Sequence, residues 1–105
     1  MRKIETQMNA AIQNEIDWQK DNTKVQNDNG VSSVFLYGKL IAKVGDTWLQ
    51  LFDGGYQTAT TKSRLNAILT AHGIGSEGVF QQAGTWFFRD AMGGKLPFFS
   101  GMRIN

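Results

Sequence analysis

Apolar side chains first recur at Ile4, Met8, Ala11, Ile12 and Ile16, with Gln7, Asn9, Gln13, Asn14 and Asp17 between or beside them. This spacing holds one apolar stripe at the 3.6-residue period and predicts a helix over residues 2–20. Trp18, near its end, is expected to close over the edge of the core. The helix is expected to fade into Asp21-Asn22-Thr23, and the polar run Gln26-Asn27-Asp28-Asn29-Gly30 reads as turn, with Asn29-Gly30 suited to positive φ.

From Val31 the pattern changes. Residues 31–37 are rich in β-branched and aromatic side chains, and 39–44 and 47–52 alternate with period two, so three strands are expected. Strict alternation would put Leu40, Ala42 and Val44 on one face of the middle strand and Lys39, Ile41 and Lys43 on the other. In the third strand Trp48, Gln50 and Phe52 would oppose Thr47, Leu49 and Leu51. Gly38 and Gly45-Asp46 are turns too short for a parallel crossover, so the strands form an antiparallel meander.

Asp53-Gly54-Gly55 breaks the third strand. A second helix is expected from Lys62 to Leu69, with Thr60 or Thr61 as cap and Leu65, Ile68 and Leu69 as its apolar stripe. His72 falls in its last turn, where the helix dipole favours a cation, and Gly73 suits the C′ position. Val79–Gln81 and Thr85–Arg89 read as a hairpin around Ala83-Gly84. The tail Leu96-Pro97-Phe98-Phe99 is too apolar to remain in water and is expected to pack down. The fold class is therefore α+β in the order α-β-β-β-α-β-β. It has an antiparallel sheet of three to five strands with two helices on one face, in a single domain spanning 1–105. Ile4, Met8, Ile12, Ile16, Leu65, Ile68 and Leu69 would cover Leu40, Ala42 and Val44.

Composition agrees with an ordinary folded chain: 105 residues, 41% hydrophobic and 19% charged. The chain has no cysteine, which excludes a disulfide scaffold, a thiolate metal site and a cysteine nucleophile. No apolar run follows Arg2-Lys3 and none approaches the ~18 residues of a membrane span, so a cytoplasmic location away from membranes is expected. The net charge is +2. Residues 1–30 sum to −1 and residues 31–105 to +3, so the positive excess lies in the glycine-rich part. That permits an anionic partner.

Candidate catalytic groups are scarce. His72 is the one histidine and reads as a helix-terminal residue. Asp46, Asp53, Glu77 and Asp90 each sit in an expected turn, where solvation explains them. Asn27-Asp28-Asn29-Gly30 resembles part of a calcium loop without its later glutamate. Gly73-Ile74-Gly75-Ser76-Glu77-Gly78 fits a dinucleotide-loop spacing but follows a helix, where the motif needs a strand. No enzyme activity, metal site or cofactor is expected.

Two binding readings remain. The first is a nucleic-acid interface, with DNA or RNA as partner, built from Lys39, Lys43, Thr61, Lys62 and Arg64. Hydroxyls, cations and free amides at a helix N-terminus suit phosphate, and exposed aromatics suit bases. It requires Lys39, Lys43, Lys62 and Arg64 to share one face; scattered positions would sink it. The second is a protein-contact surface of Phe35, Tyr37, Trp48 and Phe52 with few cations, facing a host or phage protein or closing a homodimer. The ordinary alternatives are a threonine cap, solubilising lysines and core aromatics.

The order α-β-β-β-α is similar to that of double-stranded RNA-binding domains, in which lysines at the start of the second helix meet phosphates; Lys62 and Arg64 would be the matches. That family's long loop after its first strand is replaced here by Gly38, and the hairpin near Trp86 is extra. More of the chain resembles small accessory proteins of tailed bacteriophages, marine ones included. Met1-Arg-Lys-Ile-Glu-Thr-Gln-Met8, Val34-Phe-Leu-Tyr-Gly-Lys-Leu-Ile-Ala-Lys43, Thr60-Thr-Lys-Ser-Arg-Leu-Asn-Ala67 and Gly78-Val-Phe-Gln81 carry that resemblance. It implies a non-enzymatic accessory protein made in the cytoplasm of an infected bacterium.

Overall fold

The first helix stops well short of the predicted end. In the computed structural model, which describes residues 1–104, α1 spans Lys3–Gln13. Glu5, in its first turn, reaches back so that its Oε1 accepts the Arg2 N–H at 3.2 Å. At the other end Glu15 takes φ 53°. Its N–H donates to the Ile12 carbonyl at 3.2 Å, while the Ile16 N–H donates to the Ala11 carbonyl at 3.0 Å. These two bonds close a Schellman motif and end the helix. Ile16 is thus 57% exposed and outside the core, contrary to its expected place on the stripe.

The chain beyond is strand, not helix followed by turn. Trp18–Lys20 (β1), Thr23–Asp28 (β2), Val31–Leu36 (β3), Lys39–Val44 (β4) and Leu49–Leu51 (β5) precede α2, Ala59–His72. Gly78–Gln82 (β6), Thr85–Arg89 (β7), Lys95–Pro97 (β8) and Met102–Ile104 (β9) follow it. A six-stranded antiparallel sheet has the order β1-β2-β3-β4-β5-β9, and β6-β7-β8 form a separate three-stranded one. The protein is therefore α+β with antiparallel sheets, but with nine strands among the described residues where five were expected. Residues 23–28, part of which reads as turn in the sequence, pair because Thr23 and Val25 turn inward and are buried, while Lys24 and Gln26 face water. The Asn29-Gly30, Tyr37-Gly38 and Ala83-Gly84 turns each hold two residues at positive φ between paired strands, the type I′ geometry that matches strand twist.

One irregularity decides which side chain faces where. Val34 lies opposite Ala42 but Phe35 lies opposite Leu40, so Ile41 is the extra residue of a β-bulge. Ile41 and Ala42 are consequently both buried. The bulge reverses the alternation expected for β4: Lys39 shares the inner face with Leu36, whereas Leu40 and Lys43 share the outer face with Phe35 and Ser33.

The two helices cover that inner face. Met8, Ala11 and Ile12 of α1 and Leu65, Ile68 and Leu69 of α2 join Val25, Val34, Leu36, Leu49, Leu51 and Met102 in a common core. Thr58, not Thr60 or Thr61, caps α2, its side chain accepting the Thr61 N–H at 3.1 Å. The smaller sheet packs through Val79, Trp86 and Phe88 into the same core. Asn66 of α2 ties it down, donating to the Val79 carbonyl at 2.9 Å and accepting the Val79 N–H at 2.7 Å. Of the apolar tail only Phe98 packs in, edge-on to Trp86 at 5.3 Å; Leu96 and Phe99 are exposed. The chain then returns as β9 beside β5. No described helix is long and apolar enough to cross a membrane.

Candidate nucleic-acid interface

The outer face of the six-stranded sheet has no helix on it. Its side chains follow from register. Lys24 lies opposite Phe35, Gln26 opposite Ser33, Lys43 opposite Gln50, and Gln50 opposite Arg103. Trp48 and Phe52, two residues either side of Gln50, continue this face at the ends of β5. Phe35, Leu40, Lys43, Trp48, Gln50 and Phe52 are all half-buried, whereas Val34, Leu36, Ala42, Leu49 and Leu51 on the inner face of the same strands are buried. Three aromatic rings and three cations thus share one surface.

The cations are set against the rings. The Arg103 guanidinium lies 4.5 Å from the Trp48 ring centroid and the Lys24 ammonium 5.9 Å from that of Phe35. Trp48 packs over Gly45: a Cβ there would collide with the indole, so only glycine leaves the ring its place. Gly101 likewise passes close to Phe52, 3.7 Å from its ring to the position a Cβ would take. Among the described residues none of Lys24, Lys43 and Arg103 is in an ion pair. A groove of ≈ 710 Å³ opens at one end of the face, lined by Gln19, Asp21, Lys24, Gln26, Phe35 and Tyr37. Tyr37 sits in its turn, 75% exposed. All four aromatics named from the sequence thus lie on this face or at its rim.

The cations named from the sequence do not assemble. Lys43 is on the outer face. Lys39 is exposed on the rim of the inner face, beside a groove of ≈ 360 Å³ that Tyr56, Thr60 and Thr61 also line. Thr61 is buried, its hydroxyl 2.9 Å from that of Thr58. Lys62 is half-buried on the first turn of α2, across the sheet from Lys43. Arg64 is buried: its Nη1 donates to Glu5 Oε2 at 2.8 Å, its Nε to Thr23 Oγ1 at 3.1 Å and its Nη2 to Asn22 Oδ1 at 3.3 Å. Ser63 Oγ donates to the same carboxylate at 2.6 Å. Burial pushes the Glu5 carboxyl up, but the hydrogen bonds from Ser63, Arg64 and the Arg2 N–H outweigh it and leave the pKa below its usual value. The interface required of Lys39, Lys43, Lys62 and Arg64 on one face is not formed.

His72 ends α2, as expected, but burial there opposes the charge that the helix dipole favours. Its ring is half-buried, its Nε2 has no hydrogen-bond partner among the described residues, and desolvation lowers its pKa. Loss of hydration outweighs the helix-end dipole, so the neutral ring is favoured.

The sequence reading missed Lys24 and Arg103. Both were legible in principle: Thr23-Lys24-Val25 and Met102-Arg103-Ile104 alternate with period two.

No curated protein and no solved structure is detectably similar to the chain. Residues 1–105, the whole sequence, match the family described as Kyanoviridae Gp96 protein. The Kyanoviridae are tailed phages of cyanobacteria, in line with the phage resemblance of the sequence segments. The chain belongs to the Kyanoviridae Gp96 protein family.

Proposed function

We propose that this phage protein binds nucleic acid, without catalysing a reaction, across the open face of its six-stranded sheet. The observation that carries the reading is the interleaving of Lys24, Lys43 and Arg103 with Phe35, Trp48 and Phe52 on one uncovered surface. Cations unpaired with carboxylates release counterions when they meet phosphates. Aromatic rings beside them offer a stacking surface to any base, because every base has a π-face. Gln19, Gln26, Gln50 and Ser33 on the same face supply neutral donors and acceptors.

The test is a titration of intrinsic tryptophan fluorescence with single- and double-stranded DNA and RNA at two salt concentrations. Saturable binding that weakens with salt is expected, and Lys43→Ala and Arg103→Ala should each lower the salt slope by about one. Absence of binding to any of these at low salt would overturn the reading. The half-buried aromatics of the same face then favour a protein contact, either a second copy of the chain or a host or phage protein, read out by sedimentation and by capture from host lysate.

A further inference from the structure

The three-stranded sheet has an outer face of its own, and its chemistry repeats that of the larger one with different residues. Register places Phe80 opposite Phe87 and Phe87 opposite Pro97, while Gly78, Arg89 and Lys95 line up in the neighbouring row. The Phe80 and Phe87 rings stack at 5.7 Å and 27°. The Lys95 ammonium lies 4.7 Å from the Phe87 centroid and the Arg89 guanidinium 6.0 Å from that of Phe80. Gly78 makes room for this: a Cβ there would come within 2.9 Å of Arg89 Nη2.

Both cations are held by neutral acceptors. Arg89 Nε donates to the Ser76 carbonyl at 2.7 Å and Lys95 Nζ to Gln82 Oε1 at 3.2 Å. Neither is in an ion pair among the described residues. The three strands hold no Asp or Glu, and the adjacent Asp90 carboxylate is engaged by the Met92 and Gly94 N–H groups. The opposite side of this sheet is closed by Val79, Trp86 and Phe88 in the core, so the face is one-sided and positive.

We propose that this face is a second binding platform, for single-stranded nucleic acid. The positive charge, with no carboxylate in the strands to offset it, selects a polyanion, and the ring pair selects one with free π-faces. A duplex hides its base faces in its own stack, so the occupant is a single strand. An exposed cation over a ring is a weaker contact than a base stacked on it. Lys95 therefore gives up Phe87 to a base and moves its ammonium to the neighbouring phosphate. None of these residues belongs to the six-stranded face, so the platform stands whether or not that face binds.

The experiment maps backbone amide shifts of the isotope-labelled full chain on addition of oligothymidylate at low salt. It compares the wild type with Lys43→Glu/Arg103→Glu and with Lys95→Glu, each checked for a retained native spectrum. Saturable shifts at Phe80, Phe87 and Lys95 are expected in the wild type and in the Lys43→Glu/Arg103→Glu protein. In Lys95→Glu they should appear only at about tenfold higher oligonucleotide concentration. Shifts confined to the six-stranded face, or indifferent to Lys95→Glu, would overturn the platform and leave the first reading standing. Shifts only at β6–β8 would do the reverse. A response to polyglutamate but not to oligothymidylate would replace the nucleic acid with an acidic protein and also overturn it.

Discussion

Glu5 and Arg64 meet inside the protein, each about 3% exposed, with Thr23, Asn22 and Ser63 taking their remaining hydrogen bonds. Two desolvated charges are a poor source of net stability, but removing one strands the other. Arg64→Met should therefore cost about 3–5 kcal/mol in urea unfolding. Glu5→Leu/Arg64→Met should recover most of that loss, since no buried charge then remains. Arg64 resembled a surface cation at a helix start because its partner is 59 residues away in the chain. Glu5 and Asn9 sit on the same helix face as Met8 and Ile12, so their positions were visible and their polarity concealed their burial. Asn9 lies there because its side-chain amide donates to the Ala67 carbonyl of α2 at 3.0 Å.

The type I′ turns set the register of the strands they join. Ala83 holds φ 52° without a side chain suited to it, while Gly84 follows at φ 80°. The left-handed region costs an L-residue roughly 1–2 kcal/mol, and asparagine tolerates it best. Ala83→Asn should raise the unfolding free energy by roughly 0.5 kcal/mol, seen as a higher urea midpoint at unchanged slope. Gly30→Ala, at φ 79° in open space, should lower it by about 1 kcal/mol, because only the backbone strain changes. Asn29-Gly30 and Ala83-Gly84 were legible as turns since their chemistry is local. The bulge at Ile41 was not: β4 alternates cleanly on its own, and only pairing with β3 reveals the extra residue.

At the scale of the molecule, α1, α2 and both sheets share one core, so perturbing the buried ionisable groups acts on global stability. Both shifts run downward. The folded state holds the Glu5 carboxyl below 4.5 and the His72 ring below 6.5, so in each case the unfolded chain takes up the proton first on acidification. Stability contributed by His72 is present above about pH 6.5 and lost as pH falls towards the folded-state value. That from Glu5 is present above about pH 4.5 and lost below it. Thermal melts across this range should fall in two stages. His72→Gln should abolish the upper one and leave the lower. A single decline beginning only below pH 4.5 in the wild type would contradict the His72 contribution.

What the sequence determined by itself is local. It set the α+β class, most of the apolar face of each helix, the alternation of β5 and the glycine turns, because period and turn chemistry depend on near neighbours. The phage family was legible too, through segments spread along the chain. Tertiary structure decided the rest. It chose the end of α1, because Trp18 to Lys20 gained a strand partner that a helical pattern does not announce. It moved Lys39 and Lys43 to opposite faces through one bulge, and drew Arg64 inside to a distant carboxylate. It brought Arg103 from the C-terminal strand onto Trp48. Which cations share a surface is a property of strand order and register, and these arise from pairing between segments far apart in the chain.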